Sequence, residues 1–414
     1  MKILGLSFRE FATFSMIIAT AMAALPGPLK NSFILLAIFF SVITILDKSQ
    51  VKKSTIGWMI WLLIFPVCMF FVYGYQYGGD TAIFFCYLGI AVNILIGINS
   101  NDNITEITLK LIILFVIIEA MGVFFQWIAP EFYFDNLSKY LPQLFETLYF
   151  RYKKYGYMSG FTTEVSFVAG FLCIGVFLLF FKLIISKKNN RKLTIFLLII
   201  VVAALILTKK RAHLVFCIVS CFFTYYFTDN SKRKSKWMFN VLRITLILII
   251  LFFIIYYFYG GSNSAVGRIV DSIGGLFNGE DITSSRTDFN KYTIAMWFEK
   301  PLLGYGWGTY RVIGLSELGL HCNAHNVYLQ LLAETGIVGF FSFVILALFS
   351  LKRGVLAVKK IDITDNQKLG VCIGLSYQMF FLLYCFTGNC LYEANFYLPY
   401  FISIMYAESV LSQK

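Results

Sequence analysis

Runs of about 17–23 apolar residues, long enough to cross a hydrocarbon core, recur from one end of the chain to the other. In order they predict twelve helices: Phe8–Leu25, Ser32–Leu46, Ile56–Tyr73, Thr81–Ile98, Ile107–Ile128, Thr163–Ile185, Leu193–Thr208, Ala212–Phe227, Trp237–Tyr259, Ala324–Leu351, Leu369–Thr387 and Tyr392–Leu411. The second and seventh are short, and the tenth is long because its first turns stand above the bilayer. Two polar stretches interrupt the pattern, Pro130–Thr162 and, longest of all, Gly260–Asn323. The fold class expected is therefore all-α, a polytopic membrane protein in three segments. Residues 1–259 hold helices one to nine with the 130–162 loop, 260–323 form the large loop, and 324–414 hold helices ten to twelve. The first apolar run has no small-residue cleavage site after it and reads as a retained helix.

Basic residues then set the orientation. With the N-terminus inside, the inner connections receive Lys48, Lys52 and Lys53, then Lys187, Lys188, Arg191 and Lys192, then Lys232, Arg233, Lys234 and Lys236, then Lys352, Arg353, Lys359, Lys360 and Lys368. Both termini are thus expected in the cytoplasm, and both long polar loops on the outer side. Lys209-Lys210-Arg211 departs from this rule, because parity puts it outside. Either a short hairpin tolerates the charges, or three cations are held at headgroup depth to meet an anion. All three histidines, His213, His321 and His325, also fall on the outer side, which favours the second reading.

Composition narrows the class further. The chain is 59% hydrophobic and 14% charged with a net charge of +13, and its basic residues sit in short clusters between apolar runs. That placement suits orientation signals and excludes nucleic acid as a partner. Most of the nine cysteines lie inside apolar runs without a CxxC pair, as small buried hydrophobes do. Cys322 and Cys390 alone fall where a disulfide facing an oxidising compartment is conceivable. No internal repeat is visible, and an inverted-repeat transporter would show one.

The candidate chemistry concentrates between Ser284 and Gly339. Planar guanidinium groups suit phosphate oxygens: Arg211 stands at the head of the eighth helix, Arg286 follows a Ser-Ser pair in the large loop and Arg311 follows the glycine-rich turn, with Arg268 reading as a solvated loop charge. In PLLGYGWG (Pro301–Gly308), Pro301 ends a helix built on Thr287–Lys300. The glycines let backbones pack closely while Tyr305 and Trp307 present faces, suited to sugar rings or to the membrane interface. Asn326 is a good helix cap, and His325 before it is placed to orient or deprotonate a hydroxyl. The His321/His325 spacing lacks the third ligand a zinc site needs, so no metal is expected. Glu334 is an ionisable group in an apolar helix and should face the bundle interior. Glu164 opens the sixth helix, where it either answers the macrodipole or meets Arg211 or a sugar hydroxyl. Arg151, Lys153 and Lys154 make the 130–162 loop basic.

Taken in order, Lys210-Arg211 opening a helix, Ser285-Arg286 in a large outer loop, PLLGYGWG, His325-Asn326, Glu334 and Gly336-Ile337-Val338-Gly339 resemble the O-antigen ligase and polymerase superfamily of bacterial surface-polysaccharide assembly. Motif support covers about 208–339, with weaker support from GFTTEVSFVAGF at 160–171. The resemblance implies a GT-C-like helical fold in the cytoplasmic (inner) membrane. It also implies a metal-independent glycosyl transfer, without cofactor, from an undecaprenyl-diphosphate-linked donor to a glycan acceptor, with a chain-length regulator as a further partner for a polymerase. Carried over by position, Arg211 and Arg286 hold the diphosphate and His325 acts on or positions the acceptor hydroxyl. Lys210, more basic than the family pattern leads one to expect, shares the phosphate role. The second basic loop favours a polymerase, which holds two lipid-linked glycans, over a ligase. A lipid-linked oligosaccharide flippase is the competing class, and it would carry its polar residues along a central path instead of on one face.

Overall fold

In the computed structural model, the residues described are 2–3, 6–21, 53–74, 81–98, 100–137, 145–162, 164–185, 191–228, 286–318 and 323–413, with scattered positions between 32 and 43. The second predicted helix falls largely outside them. So do the ninth, the basic cluster at 232–236, Arg268, His321 and Cys322.

The described chain is helical apart from a two-residue antiparallel ladder, Lys2–Ile3 with Leu6–Ser7. Helices α1 (Phe8–Ala21), α2 (Ile56–Leu62, continued by wider π-type turns over Leu63–Gly74), α3 (Thr81–Ile96) and α4 (Asp102–Ile128) take up the first predicted spans. Pro66 has no N–H to give to a tight helical turn, and the wide turns accommodate it. There follow α5 (Phe145–Tyr155), α6 (Val165–Ile185), α7 (Arg191–Leu207) and α8 (Arg211–Thr228). Beyond the large loop come α9 (Arg286–Glu299), α10 (Tyr310–Leu318), α11 (Val327–Lys359), α12 (Asp365–Tyr384) and α13 (Ala394–Leu411). Helix α5 was not expected: its Lys and Tyr content masks the period in a segment read as loop. Four of the described helices, α4, α6, α8 and α11, are long and apolar enough to cross a membrane.

Burial explains the arrangement. Helix α6 is apolar all round and lies in the centre, with Val168, Leu172, Cys173, Phe177 and Phe181 buried among α4, α7, α8 and α12. By contrast, α4 exposes Leu114, Ile118 and Met121, α7 exposes Phe196 and Ile199, and α11 exposes Phe341, Ile345 and Leu348. Rows of exposed apolar side chains at helical spacing mark faces turned to lipid. An aromatic column runs through the bundle: Trp58 meets Trp61, Phe343, Tyr400 and Phe401 edge-on, and Trp61 in turn meets Trp307. Both indole N–H groups are paired, Trp58 to Ser350 Oγ at 2.7 Å and Trp61 to the Gly339 carbonyl at 3.1 Å. Together they fasten α2 to α11.

The two ends of the bundle differ. At one end Arg353 of α11 forks onto Glu408 of α13 through Nε and Nη2, both at 2.6 Å, and Ser54 adds a third donor at 2.6 Å. Thr364 caps α12 in a reciprocal box with Gln367 and also donates to Asp102 at the head of α4. Glu408 is buried, so removing its guanidinium partner leaves a carboxylate without compensation. Arg353→Met should cost about 2–3 kcal/mol, read as a lower midpoint of thermal unfolding in detergent. The double replacement Arg353→Met with Glu408→Met should recover most of that loss. An unchanged midpoint in the single variant would show that water reaches the pair.

Candidate active site

The opposite end gathers the connections that follow α4, α7, α9 and α12, and some of the residues singled out from the sequence lie in them. After α7, Lys209 adopts a left-handed backbone (φ +58°) that turns the chain into α8. Its ammonium group donates to the Tyr155 carbonyl at 3.3 Å, and Lys210 Nζ stands 5.2 Å from the centre of the Tyr157 ring. The basic pair is thus joined to the connection that carries α5. On the same connection Arg151 Nη1 pairs with Glu164 Oε2 at 2.5 Å. Glu164 stands immediately before α6, where the macrodipole favours a carboxylate, and its ion-pair partner is Arg151. Arg211 opens α8 and is exposed, and Arg286 is the first residue of α9.

His213 departs from expectation. Its ring is 1% exposed and packs against Tyr384 (4.4 Å between centroids), Phe380 and Phe396. This close to the head of α8 the helix already faces the core, so this histidine belongs to packing. Trp307 is corrected likewise. It is 1% exposed, stacked on Tyr392 at 4.8 Å and edge-on to Trp61 and Tyr87, so its faces are occupied by protein instead of a sugar. Tyr305 remains half-buried, with its hydroxyl donating to Glu299 and Lys300 Nζ 4.2 Å from its ring centre.

The glycine-rich turn has a structural task instead of a phosphate-binding one. Helix α11 is broken at Gly336 (φ +61°, ψ −169°). The break frees backbone groups that PLLGYGWG takes up: Tyr305 N and Gly306 N donate to the Ala333 and Glu334 carbonyls at 2.9 and 2.8 Å, while Ile337 N donates to the Pro301 carbonyl at 2.8 Å. Glu334, fully buried as expected, receives Tyr310 N (3.1 Å), Gln330 Nε2 (3.1 Å) and the Tyr392 hydroxyl (2.7 Å). It ties the turn, α11 and the α12–α13 connection together.

Asn326 is the cap of α11, its carboxamide oxygen accepting from Tyr328 N and Leu329 N, so that atom is not available to a ligand. His325 before it is half-buried and adopts φ +54°, unusual for a residue with a side chain. Two bonds to one residue hold it there. Asn389 Oδ1 accepts from His325 N at 3.0 Å, and Asn389 Nδ2 lies 3.2 Å from His325 Nδ1. Asn389 also stands beside Glu393, where it favours the ionised carboxylate. Glu393 precedes α13 in the connection outside the helix. Burial and the nearby Glu164 push its carboxyl up to about 7, while Lys210, Asn389 and Arg311 act in the opposite sense. Arg311, at the start of α10, is thereby placed in the same cluster.

Asn389 and Glu393 were missed by sequence reasoning. Their signal was the run Thr387-Gly388-Asn389-Cys390-Leu391-Tyr392-Glu393-Ala394-Asn395, polar at every few positions in a connection too short to need it. In the same run Cys390 Sγ lies 3.1 Å from Cys385 Sγ, both buried, whereas its expected companion Cys322 is outside the described residues. The result is one cluster, drawn from five connections and helix starts, with three cations (Arg151, Lys210, Arg311), two carboxylates and an imidazole.

Fold and site together define a multi-pass helical membrane protein with a charged site at one end of its bundle. Residues 195–344, from α7 to the middle of α11, match the family model described as O-antigen ligase, which supports the resemblance to the O-antigen ligase and polymerase superfamily. The match takes in Lys210, Arg211, Arg286, Tyr305, Trp307, Arg311, His325 and Asn326, and leaves Arg151, Glu164, Asn389 and Glu393 outside. No curated protein matches the chain.

Proposed function

We propose that the chain is a polysaccharide polymerase that joins undecaprenyl-diphosphate-linked repeat units at the outer face of the bacterial cytoplasmic membrane. The bundle has twelve membrane helices in a GT-C-like arrangement, both termini are cytoplasmic, and the donor reacts without a metal. In the transfer, the bond between the anomeric carbon and the diphosphate oxygen breaks with its electron pair left on the phosphate. A new bond forms from the acceptor hydroxyl oxygen, whose proton leaves to water. Charge grows on the leaving diphosphate, so fixed cations stabilise the transition state more than the ground state. Arg211 and Arg286, together with Lys210 and Arg311, serve that oxygen. Lipids surround the bundle, and a chain-length regulator is the expected protein partner.

The observation that carries this reading is the convergence of both outer connections on one cluster: α5 and Arg151 arrive beside Lys209-Lys210, and Glu393 brings in Arg311 and the residue that holds His325. A polymerase must hold two lipid-linked glycans, and a second basic connection at the same site suits the second diphosphate. The family description itself favours a ligase as the second reading.

The test is the surface-polysaccharide ladder from cells lacking the protein, complemented with wild type or His325→Ala at matched membrane levels. A polymerase leaves single repeat units on the acceptor core, and His325→Ala should cut long chains at least 100-fold. A ligase would instead leave long lipid-linked polymer and a bare core. A full ladder from His325→Ala would remove the histidine from the site.

A further inference from the structure

The α12–α13 connection lies beyond the family match and beyond every motif read from the sequence, yet it holds the imidazole of the site. The argument begins with a carboxamide whose orientation is fixed by its neighbour. The backbone N–H of His325 can only donate, so the atom of Asn389 that faces it at 3.0 Å must be Oδ1. The other end of the same carboxamide, Nδ2, can only donate as well. It faces His325 Nδ1 at 3.2 Å, so Nδ1 is the acceptor in that bond. An imidazole that accepts at Nδ1 carries its proton on Nε2. Glu393, four residues on, stands beside the same amide, which favours its ionised form. Both hydrogen bonds from Asn389 to His325 then hold one ring in one tautomer.

The surroundings fit a built site more than a loop that happens to be polar. Asn389 is 9% exposed, and the left-handed backbone at His325 is an uncommon conformation that persists only when its surroundings hold it. Val327 N donates to the Cys385 carbonyl at 2.8 Å, so the start of α11 and the end of α12 are joined by backbone as well. Among the described residues, Glu393 Oε2 and Thr387 Oγ1 in this connection and Asn395 Nδ2 in the first turn of α13 are buried without a hydrogen-bond partner. Such atoms are polar capacity left for a ligand.

We propose that Asn389, beside Glu393, is a positioning residue that locks His325 in the Nε2–H tautomer, so that His325 serves the glycosyl transfer as a hydrogen-bond donor to a substrate oxygen that gains negative charge and not as the base for the acceptor hydroxyl. This rests on the reading of His325 as part of the polymerising site. The bonds broken and formed are those given above, and the acceptor's proton goes to water. What changes is the part played by the imidazole: it keeps its Nε2 proton throughout and shares it with the oxygen where charge accumulates. Glutamine in place of histidine can imitate such a donor, because its amide N–H reaches about as far as Nε2. It cannot imitate a base. Aspartate in place of Asn389 keeps the bond from His325 N but offers Nδ1 an acceptor, which draws the ring proton to Nδ1 and leaves Nε2 bare, the arrangement a base requires.

Two readouts on the full-length protein separate this inference from the reading beneath it. With only three histidines in the chain, selective 15N-histidine labelling in membranes gives a spectrum that His325→Gln assigns by loss of its signals. Wild type should show His325 protonated at Nε2 and bare at Nδ1, and Asn389→Asp should exchange the two. In cells, at matched protein levels, His325→Gln should keep chain formation within about tenfold of wild type, while His325→Ala and Asn389→Asp fall by at least 30-fold. Asn389→Asp with Glu393→Gln removes the repulsion between neighbouring carboxylates and should stay low. The inference is overturned by a wild-type ring protonated at Nδ1. It is also overturned by wild-type rates from Asn389→Asp or from the double variant, or by His325→Gln as inactive as His325→Ala. A full ladder from His325→Ala would sink the underlying reading instead, and this inference with it.

Discussion

Gly336→Ala should leave little folded protein in the membrane. At φ +61° and ψ −169° the residue sits in a backbone region that is open in practice only to glycine. A Cβ there would stand 2.2 Å from the Leu302 carbonyl, a backbone atom that cannot step aside. The contact is reciprocal, since a Cβ on Gly304 would meet the Glu334 backbone at 2.4 Å. Relieving either clash means separating PLLGYGWG from the broken helix, and with it the four backbone bonds that join them, from Tyr305, Gly306, Ile337 and Val338. Strain of about 1–3 kcal/mol and the loss of those bonds, each worth about 1 kcal/mol net, exceed what a marginally stable fold can spare. Size-exclusion of a fluorescently tagged protein in detergent measures the surviving fraction. Gly308→Ala is the control: it too has positive φ (+80°), but nothing lies within 4 Å of its missing Cβ, so the cost should be nearer 1 kcal/mol. If both variants behave alike, the close approach at Gly336 is not what holds the turn.

That break in α11 also shows where sequence reading stops. Apolar periodicity located the spans because burial in lipid and burial in the bundle ask for the same residues, and α2, α4, α6, α8 and α12 fall where their runs predict. Arg211, Arg286, Arg311 and His325 drew attention in the sequence because few residue types bind phosphate or move protons, and these stood at polar edges. Periodicity could not distinguish a continuous helix from two joined at Gly336, since both halves remain apolar. Nor could it show that Trp307 is stacked on Tyr392, because an aromatic next to glycines reads the same whether it faces sugar or core. His213 was misplaced for a related reason: one residue past a cationic pair is water edge by sequence, but a helix turns its side chain through about 100° per residue, here into Phe380 and Tyr384. Asn389 and Glu393 lay in a short polar run whose composition does not say what it touches. Their importance arises from a contact across 64 residues with His325, and separation of that size leaves no local trace.

Glu334 yields the second large effect, and it separates a structural carboxylate from a catalytic one. The residue is fully buried, and its two oxygens take Tyr310 N and Gln330 Nε2 on one side and the Tyr392 hydroxyl on the other. Glu334→Leu removes every acceptor and leaves those donors in an apolar setting, at about 1–3 kcal/mol each. The expected loss is about 4 kcal/mol or more by that reckoning, seen as a large fall in unfolding midpoint and in the amount of membrane-extractable protein. Glu334→Gln preserves one oxygen for Tyr310 N and Gln330, and its amide can donate to the Tyr392 hydroxyl in place of accepting from it. The loss should then be about 1 kcal/mol, with polymer formed per folded molecule within a few-fold of wild type. A glutamine variant that folds normally but makes no chains would assign Glu334 to the chemistry. The contacts argue otherwise: all of its bonding is spent on the protein, and the carboxylate acts on the site only through Tyr392, which lies one residue before Glu393 and three after Asn389 in the connection that holds His325.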